Sequence, residues 1–230
     1  LADKVEKALG IPTRVENDAN AAAWGEFTYG VAAEYNSIVF VTLGTGVGGG
    51  IILDGELFRG AGGTGGEIGH IAVVQGGANC GCGLLGCWEQ FASGGALVRA
   101  AREEAEHNPQ FAKTLLALVN REAEKITGYT VTHAAELGCR AALTAVESLA
   151  NYSARAMSDL ARILDPDVFV LAGGVSEAGE IVRKPIEDAL ATYVGQAKAF
   201  RVTPVLTATL GNAAGIIGAA DLSRRANAQS

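Results

Sequence analysis

The stretch Ser37-Ile38-Val39-Phe40-Val41-Thr42-Leu43, then Gly44-Thr45-Gly46-Val47-Gly48-Gly49, then Gly50-Ile51-Ile52-Leu53 decides the fold. Residues 37–43 are almost wholly apolar and rich in β-branched side chains, the mark of a strand buried on both faces. Gly50 to Leu53 reads as its antiparallel partner, joined by a glycine-rich turn. Upstream, Asn17-Asp18 caps a helix that begins at Ala19, runs to about Tyr29 and ends at Gly30. Before it, Thr13 to Glu16 reads as a short strand. Ala2 to Leu9 reads as a helix stopped by Gly10-Ile11-Pro12. Downstream, residues 54–95 show little regular structure apart from the apolar run Ile71 to Val74, and so long a loop region is functional or pinned. Gly94 to Leu164 reads as mainly helical and closes at Asp165-Pro166. A second buried strand, Val168 to Ala172, leads into Gly173-Gly174. A helix, a strand from Arg201 to Leu206 and a last helix from Asn212 to about Arg224 follow. No repeat recurs at a fixed period. Alternation of this kind implies a layered α/β domain.

Composition narrows the class. Of 230 residues, 49% are hydrophobic, 19% charged and 31 are glycine, a glycine share of about 13% against a usual ~7%. The glycines have no three-residue period, so collagen is excluded. The apolar content excludes disorder. Mean hydropathy is +0.22, yet no apolar run approaches the ~18 residues of a membrane span. The net charge of −7 offers no basic face for a nucleic-acid backbone. No signal-peptide pattern is present, and three of the four cysteines fall within eight residues. A metal held in a reducing, cytoplasmic compartment is the expectation.

Four motifs carry candidate chemistry. His70, Cys80, Cys82 and Cys87 are spaced H-x9-C-x-C-x4-C, a donor set suited to a closed tetrahedral zinc site. Three buried thiols beside an unrelated histidine is the plainer reading. Cys139 reads as a core residue, and His107 and His133 as surface histidines. The glycine loop at 44–50 can wrap a phosphate with its N–H groups and the Thr45 hydroxyl, or can simply make a tight hairpin. It is neither a P-loop nor a dinucleotide fingerprint. Gly173-Gly174 allows a nucleotide to approach the strand end, or a helix to pack closely. Asp18, Glu67 and Glu89 stand at loop or cap positions, and Asp18 could be a plain N-cap. A metal that stiffens the loop would fix both glutamates for bidentate bonds to a polyhydroxylated ligand.

At these residues the chain resembles the ROK family of bacterial sugar kinases and repressors. The likeness lies in Glu16-Asn17-Asp18-Ala19-Asn20, Leu43 to Gly50, Gly66-Glu67-Ile68-Gly69-His70 and Cys80-Gly81-Cys82…Gly86-Cys87-Trp88-Glu89. It runs from Leu1 to about Asp221, and is strongest to ATP-dependent glucokinases. The resemblance implies an α/β, actin-like ATPase (ribonuclease H-like) fold. It implies residues 1–20 as the end of a first, small lobe and 21–211 as a second, large lobe with a zinc loop at 70–89. Residues 212–230 become a C-terminal helix packing back on the first lobe. By the same resemblance Asp18 is the catalytic base, and Asn17, Asp18, Glu67, His70 and Glu89 contact the sugar. Gly44, Thr45 and Gly46 form a phosphate turn, and Gly173-Gly174 the adenosine motif. His70, Cys80, Cys82 and Cys87 hold a structural Zn²⁺, and Mg²⁺ accompanies ATP.

The family also opens with an Asp-x-Gly-Gly-Thr phosphate loop, which this sequence lacks. Gly62-Gly63-Thr64 has no aspartate before it and cannot replace that loop. With Leu1 falling inside a helical pattern, the chain is expected to be a fragment that binds zinc and is a poor kinase alone. The expected function is ATP-dependent phosphorylation of the glucose 6-hydroxyl. The expected partners are glucose, ATP and further copies of the chain in a homodimer or higher homo-oligomer, with no nucleic acid and no membrane. Leu84-Leu85 inside the cysteine loop, where the family often carries polar residues, suits a subunit contact. The alternatives are a sugar-sensing ROK repressor, a kinase for another hexose such as mannose or N-acetylglucosamine, and polyphosphate as donor.

Overall fold

The computed structural model describes residues 1–195 and 200–228, with side chains as far as Arg225. Its strands are β1 (Ile38–Leu43), β2 (Val47–Leu53), β3 (Glu56–Phe58), β4 (Val168–Ala172) and β5 (Val205–Thr207). They form one sheet in the order β3-β2-β1-β4-β5. The pairs β3–β2 and β2–β1 are antiparallel, and β1–β4 and β4–β5 are parallel. The helices are α1 (Ala2–Leu9), α2 (Asp18–Tyr29), α3 (Glu89–Ala92), α4 (Gly94–His107), α5 (Lys113–Ala117), α6 (Gly128–Glu136), α7 (Arg140–Leu164), α8 (Glu180–Gly195) and α9 (Ala214–Ala228).

Side chains alternate across a strand, so the central strands feed two cores. Val39, Val41, Leu43, Phe169 and Leu171 pack against α4, α6, α7 and α8. Ile38, Phe40, Ile52, Val168 and Val170 pack against α2 and α9. The result is three layers, helices on both faces of a mixed sheet. No described helix is long and apolar enough to cross a membrane.

The sheet departs from expectation in four places. β3 lies within the segment 54–95 that reads as loop in sequence. Thr13 to Glu16 is not a strand: Arg14 and Val15 are exposed, and no described strand pairs with them. β2 begins at Val47, so the turn shrinks to residues 44–46 and Gly48, Gly49 and Gly50 lie inside the ladder. Close packing explains those glycines. A Cβ on Gly50 would stand 2.5 Å from Ala23 Cβ in α2, and one on Gly49 2.5 Å from Ile68. The last strand is Val205–Thr207, shorter than the expected 201–206.

α2 and α9 cross at Gly25 and Gly218, where a Cβ on Gly218 would lie 1.7 Å from the Ala21 carbonyl oxygen. Two buried carboxylates hold this corner. Glu26 accepts the N–H groups of Val31 (3.1 Å) and Leu210 (2.6 Å) and the Thr209 hydroxyl. Asp221, 4% exposed, accepts Trp24 Nε1–H at 3.0 Å and the Tyr29 hydroxyl at 2.8 Å, and pairs with Arg224 and Arg225. Burial raises the Asp221 pKa, but those four donors outweigh it and hold the carboxyl well below the usual carboxylate range.

Candidate functional site

The C-terminal end of β1 gathers the motifs. Asn17 caps α2, its side-chain oxygen accepting the Asn20 N–H at 3.1 Å. Glu16 accepts from the Asn17 N–H and from Asn20 Nδ2, both at 3.1 Å, and pairs with Arg59 at 2.7 Å. Burial raises the Glu16 pKa, but the bonds from Arg59, Asn20 and Asn17 bring it below its ordinary value. This buttress fixes the start of α2, and sequence reading gave Glu16 and Arg59 no role. Asp18 is the first residue of α2 and is exposed, with Oδ1 accepting the Ala19 N–H at 2.9 Å. Its other oxygen takes no hydrogen bond among the described residues and is open to a ligand hydroxyl.

The turn at 66–70 leans on β2 because Gly69 has no side chain; a Cβ there would meet the Val47 carbonyl oxygen at 1.9 Å. One 3-10 turn, Ile68–His70, then presents His70. The cysteine loop doubles back on itself: Cys80 N–H bonds Leu84 O at 2.9 Å and Val73 N–H bonds Gly86 O at 2.9 Å. Gly83 and Gly86 supply the left-handed conformations that such a knuckle requires.

These turns bring His70, Cys80, Cys82 and Cys87 together, with their ligand atoms all within 4.8 Å of one another. Cys80 Sγ lies 3.6 Å from His70 Nδ1, and Cys82 Sγ 3.6 Å from Cys87 Sγ. A tetrahedron with metal–sulfur bonds of about 2.3 Å has edges of about 3.8 Å, so the donor set fits zinc. Burial first, then the Cys82 and Cys80 sulfurs, push the Cys87 thiol up to about 12. A divalent cation is what deprotonates a thiol so placed.

The imidazole is two-sided. Nδ1 faces the sulfurs, and Nε2 lies 3.9 Å from Glu67 Oε2. Glu89 links the cluster to the glycine turn: its Oε1 is 3.0 Å from Cys80 Sγ, and its Oε2 is 2.7 Å from where a Cβ on Gly46 would stand. Glu67, His70, Glu89 and the three cysteines thus share one locus with Gly46. Asn17 and Asp18 make no hydrogen bond to them.

The 44–46 turn is held from three sides. Gly44 N–H bonds Gly46 O at 3.0 Å, Gly94 N–H bonds Gly44 O at 2.8 Å, and Val175 N–H bonds Leu43 O at 3.1 Å. Gly173 (φ +85°) abuts the same strand end, where a Cβ would lie 2.6 Å from Leu43 O. Gly173-Gly174 and Thr45 are therefore neighbours, and two clefts open beside them. One, of about 470 Å³, is lined by Asp18, Thr42, Gly173 and Asn212. The other, of about 720 Å³, is lined by Thr45, Gly174 and the starts of α4 and α6.

The ROK family model matches residues 1–226. The chain belongs to the ROK family. Its fold is the actin-like ATPase fold of ROK sugar kinases. A ROK glucokinase from Streptomyces griseus, solved in complex with glucose and AMPPNP, is 44% identical with a TM-score of 0.91, over 98% of this chain and 72% of that one. The glucokinase of Streptomyces coelicolor is 44% identical over 224 residues, 97% of this chain and 71% of that protein. The xylose repressor of Bacillus subtilis is more distant, 26% identical over 194 residues, 84% of this chain and 46% of that protein.

Proposed function

We propose that this ROK chain acts as a glucokinase, passing the γ-phosphoryl group of ATP to the 6-hydroxyl of glucose. The observation that carries the reading is the position of Glu89, against both the His/Cys cluster and the Gly46 turn. Metal-stiffened carboxylates for a sugar and backbone N–H groups for a phosphate then lie side by side. Identity to glucokinases across nearly the whole chain supports the same reading.

Asp18, through its unengaged oxygen, takes the proton from the 6-hydroxyl as that oxygen bonds to the γ-phosphorus. The bond from that phosphorus to the β,γ-bridging oxygen breaks, and ADP leaves. Glu67, Glu89 and His70 Nε2 orient the ring hydroxyls, with Asn17 at the edge of the pocket. Gly44 closes the turn through its own N–H on Gly46 O, the N–H groups of Thr45 and Gly46 cradle phosphate oxygens, and Gly173-Gly174 borders the nucleoside. Mg²⁺, when bound with ATP, neutralises charge on the phosphates. His70, Cys80, Cys82 and Cys87 hold zinc as a structural ion, which suits a reducing cytoplasmic location. Residues 1–20 close a first, small lobe, 21–211 form the large lobe, and 212–230 pack back on the first. Leu84 and Leu85, 58% and 49% exposed, support assembly into a homo-oligomer.

Replacing Asp18 by Asn tests the chemistry. Turnover is expected to fall by about 10²–10⁴-fold while glucose still binds, as read by calorimetry. Unchanged turnover would remove Asp18 from the reaction. The repressor reading predicts sugar binding with no turnover even when the chain is joined to the first lobe that the resemblance places upstream.

A further inference from the structure

The residues assigned to the sugar stand on two separate supports. Glu67 and His70 belong to the 66–70 turn, which leans on β2, whereas Asn17 and Asp18 belong to the start of α2. Asp18 is exposed, and among the described residues its carboxylate bonds only the N–H of its neighbour Ala19. Nothing in Asp18 itself holds it against the turn.

Glu16 joins the two supports. Its Oε1 accepts the Asn17 N–H and Asn20 Nδ2, each at 3.1 Å, and so holds the first turn of α2. Its Oε2 accepts Arg59 Nε–H at 2.8 Å, and Arg59 Nη2 stands 2.7 Å from the same carboxylate oxygen. Among the described residues no other hydrogen bond or ion pair runs from residues 16–18 to residues 56–70.

Arg59 follows β3, where a pliant stretch begins. Five of the seven residues 60–66 are glycine, a composition with little stiffness of its own. The stretch is pinched at its neck: Gly65 N–H bonds Arg59 O at 2.8 Å, and a Cβ on Gly65 would lie 2.7 Å from the Arg59 carbonyl carbon. Gly66 then passes the buried Asn20, whose Oδ1 would lie 3.5 Å from a Cβ there. That Oδ1 has no hydrogen-bond partner among the described residues, so Glu16 is the one such partner of the Asn20 side chain.

We propose that Glu16 and Arg59 are positioning residues for the transfer: their ion pair keeps Asp18 in register with Glu67 and His70, so that the base meets the hydroxyl those side chains present. This rests on the kinase reading above. Neither residue touches the reacting atoms. The Arg59 and Glu16 side chains are 47% and 21% exposed, and pairs so open to water add little to stability. A small misplacement of a catalytic group, by contrast, costs much in rate.

The test places Arg59→Met, Arg59→Lys and Glu16→Gln in the chain extended upstream by the first lobe that the resemblance implies. Arg59→Met and Glu16→Gln are each expected to lower kcat about 10–100-fold. The KM for glucose should rise only about threefold, the share of one loosened hydrogen bond, with the melting temperature unchanged. Arg59→Lys, which keeps the charge but not the planar fork, is expected to recover part of kcat. Unaltered kcat in both Arg59→Met and Glu16→Gln, or a loss confined to KM, overturns the proposal. If the parent binds glucose and forms no ADP, the kinase reading falls and calorimetry judges the pair. Weaker glucose binding on Arg59→Met in the parent, but not in Asp18→Ala, supports the positioning of Asp18. Equal affinity of parent and Arg59→Met, the same loss in both backgrounds, or no glucose binding at all overturns it.

Discussion

A single imidazole joins the two halves of the proposed sugar site. His70 Nδ1 faces the cysteine cluster while Nε2 faces Glu67, so a metal held there would set the direction in which a hydroxyl can be held. Replacing Cys82 by Ser should therefore lower zinc content, melting temperature and glucose affinity together. Metal analysis, a thermal melt and calorimetry check this, and normal glucose affinity without zinc would refute a structural role for the ion. A second residue-scale prediction concerns acid. The Asp221 carboxyl has its folded pKa depressed, so its stabilising effect is complete above the unfolded value of about 3.9. That effect is lost as pH falls below this value toward the folded one. Urea unfolding at pH 6 and pH 3 should show a smaller acid loss in Asp221→Asn than in the parent. The His/Cys cluster was legible in sequence because thiols and imidazole gather at such spacings in few other contexts. Glu16 and Asp221 were not, because their partners Arg59 and Trp24 come into contact only through the fold.

Glycine has different meanings in different elements. In β2 and at the crossing of α2 with α9, glycines let backbones approach. At the start of α6, a Cβ on Gly128 would meet nothing within 4 Å. The two cases predict opposite outcomes for the same methyl group. Gly218→Ala places a Cβ 1.7 Å from the Ala21 carbonyl oxygen and should destabilise the protein by roughly 1–3 kcal/mol. Gly128→Ala should leave stability unchanged or slightly raised, since alanine is the better helix former. Urea denaturation of both variants decides it, and equal losses would contradict the distinction. Sequence reading found β1, β4 and α2 because apolar runs and caps are local signals. It extended the turn through residues 47–49 because nothing in Val47-Gly48-Gly49 reveals Ile68 pressing on the strand. It made Thr13 to Glu16 a strand because composition cannot say whether a ladder partner exists.

At the scale of the molecule, the mixed sheet delivers the start of α2, the 44–46 turn, the Gly173-Gly174 turn and the metal loop to one end. Strand order explains part of this. Placing β4 beside β1 sets Gly173 against Leu43, and the β1–β2 hairpin sets Gly46 against Glu89. A ligand held by carboxylates on one side of the 44–46 turn can thus meet a phosphate cradled by it. The most direct measurement is glucose-dependent ADP formation with Mg-ATP, made on this chain and on the chain extended upstream by the first lobe that the resemblance implies. ADP release that requires glucose, and that Asp18→Asn abolishes, is the predicted result. Glucose binding with no ADP release from either protein would contradict the kinase reading and favour a sugar sensor.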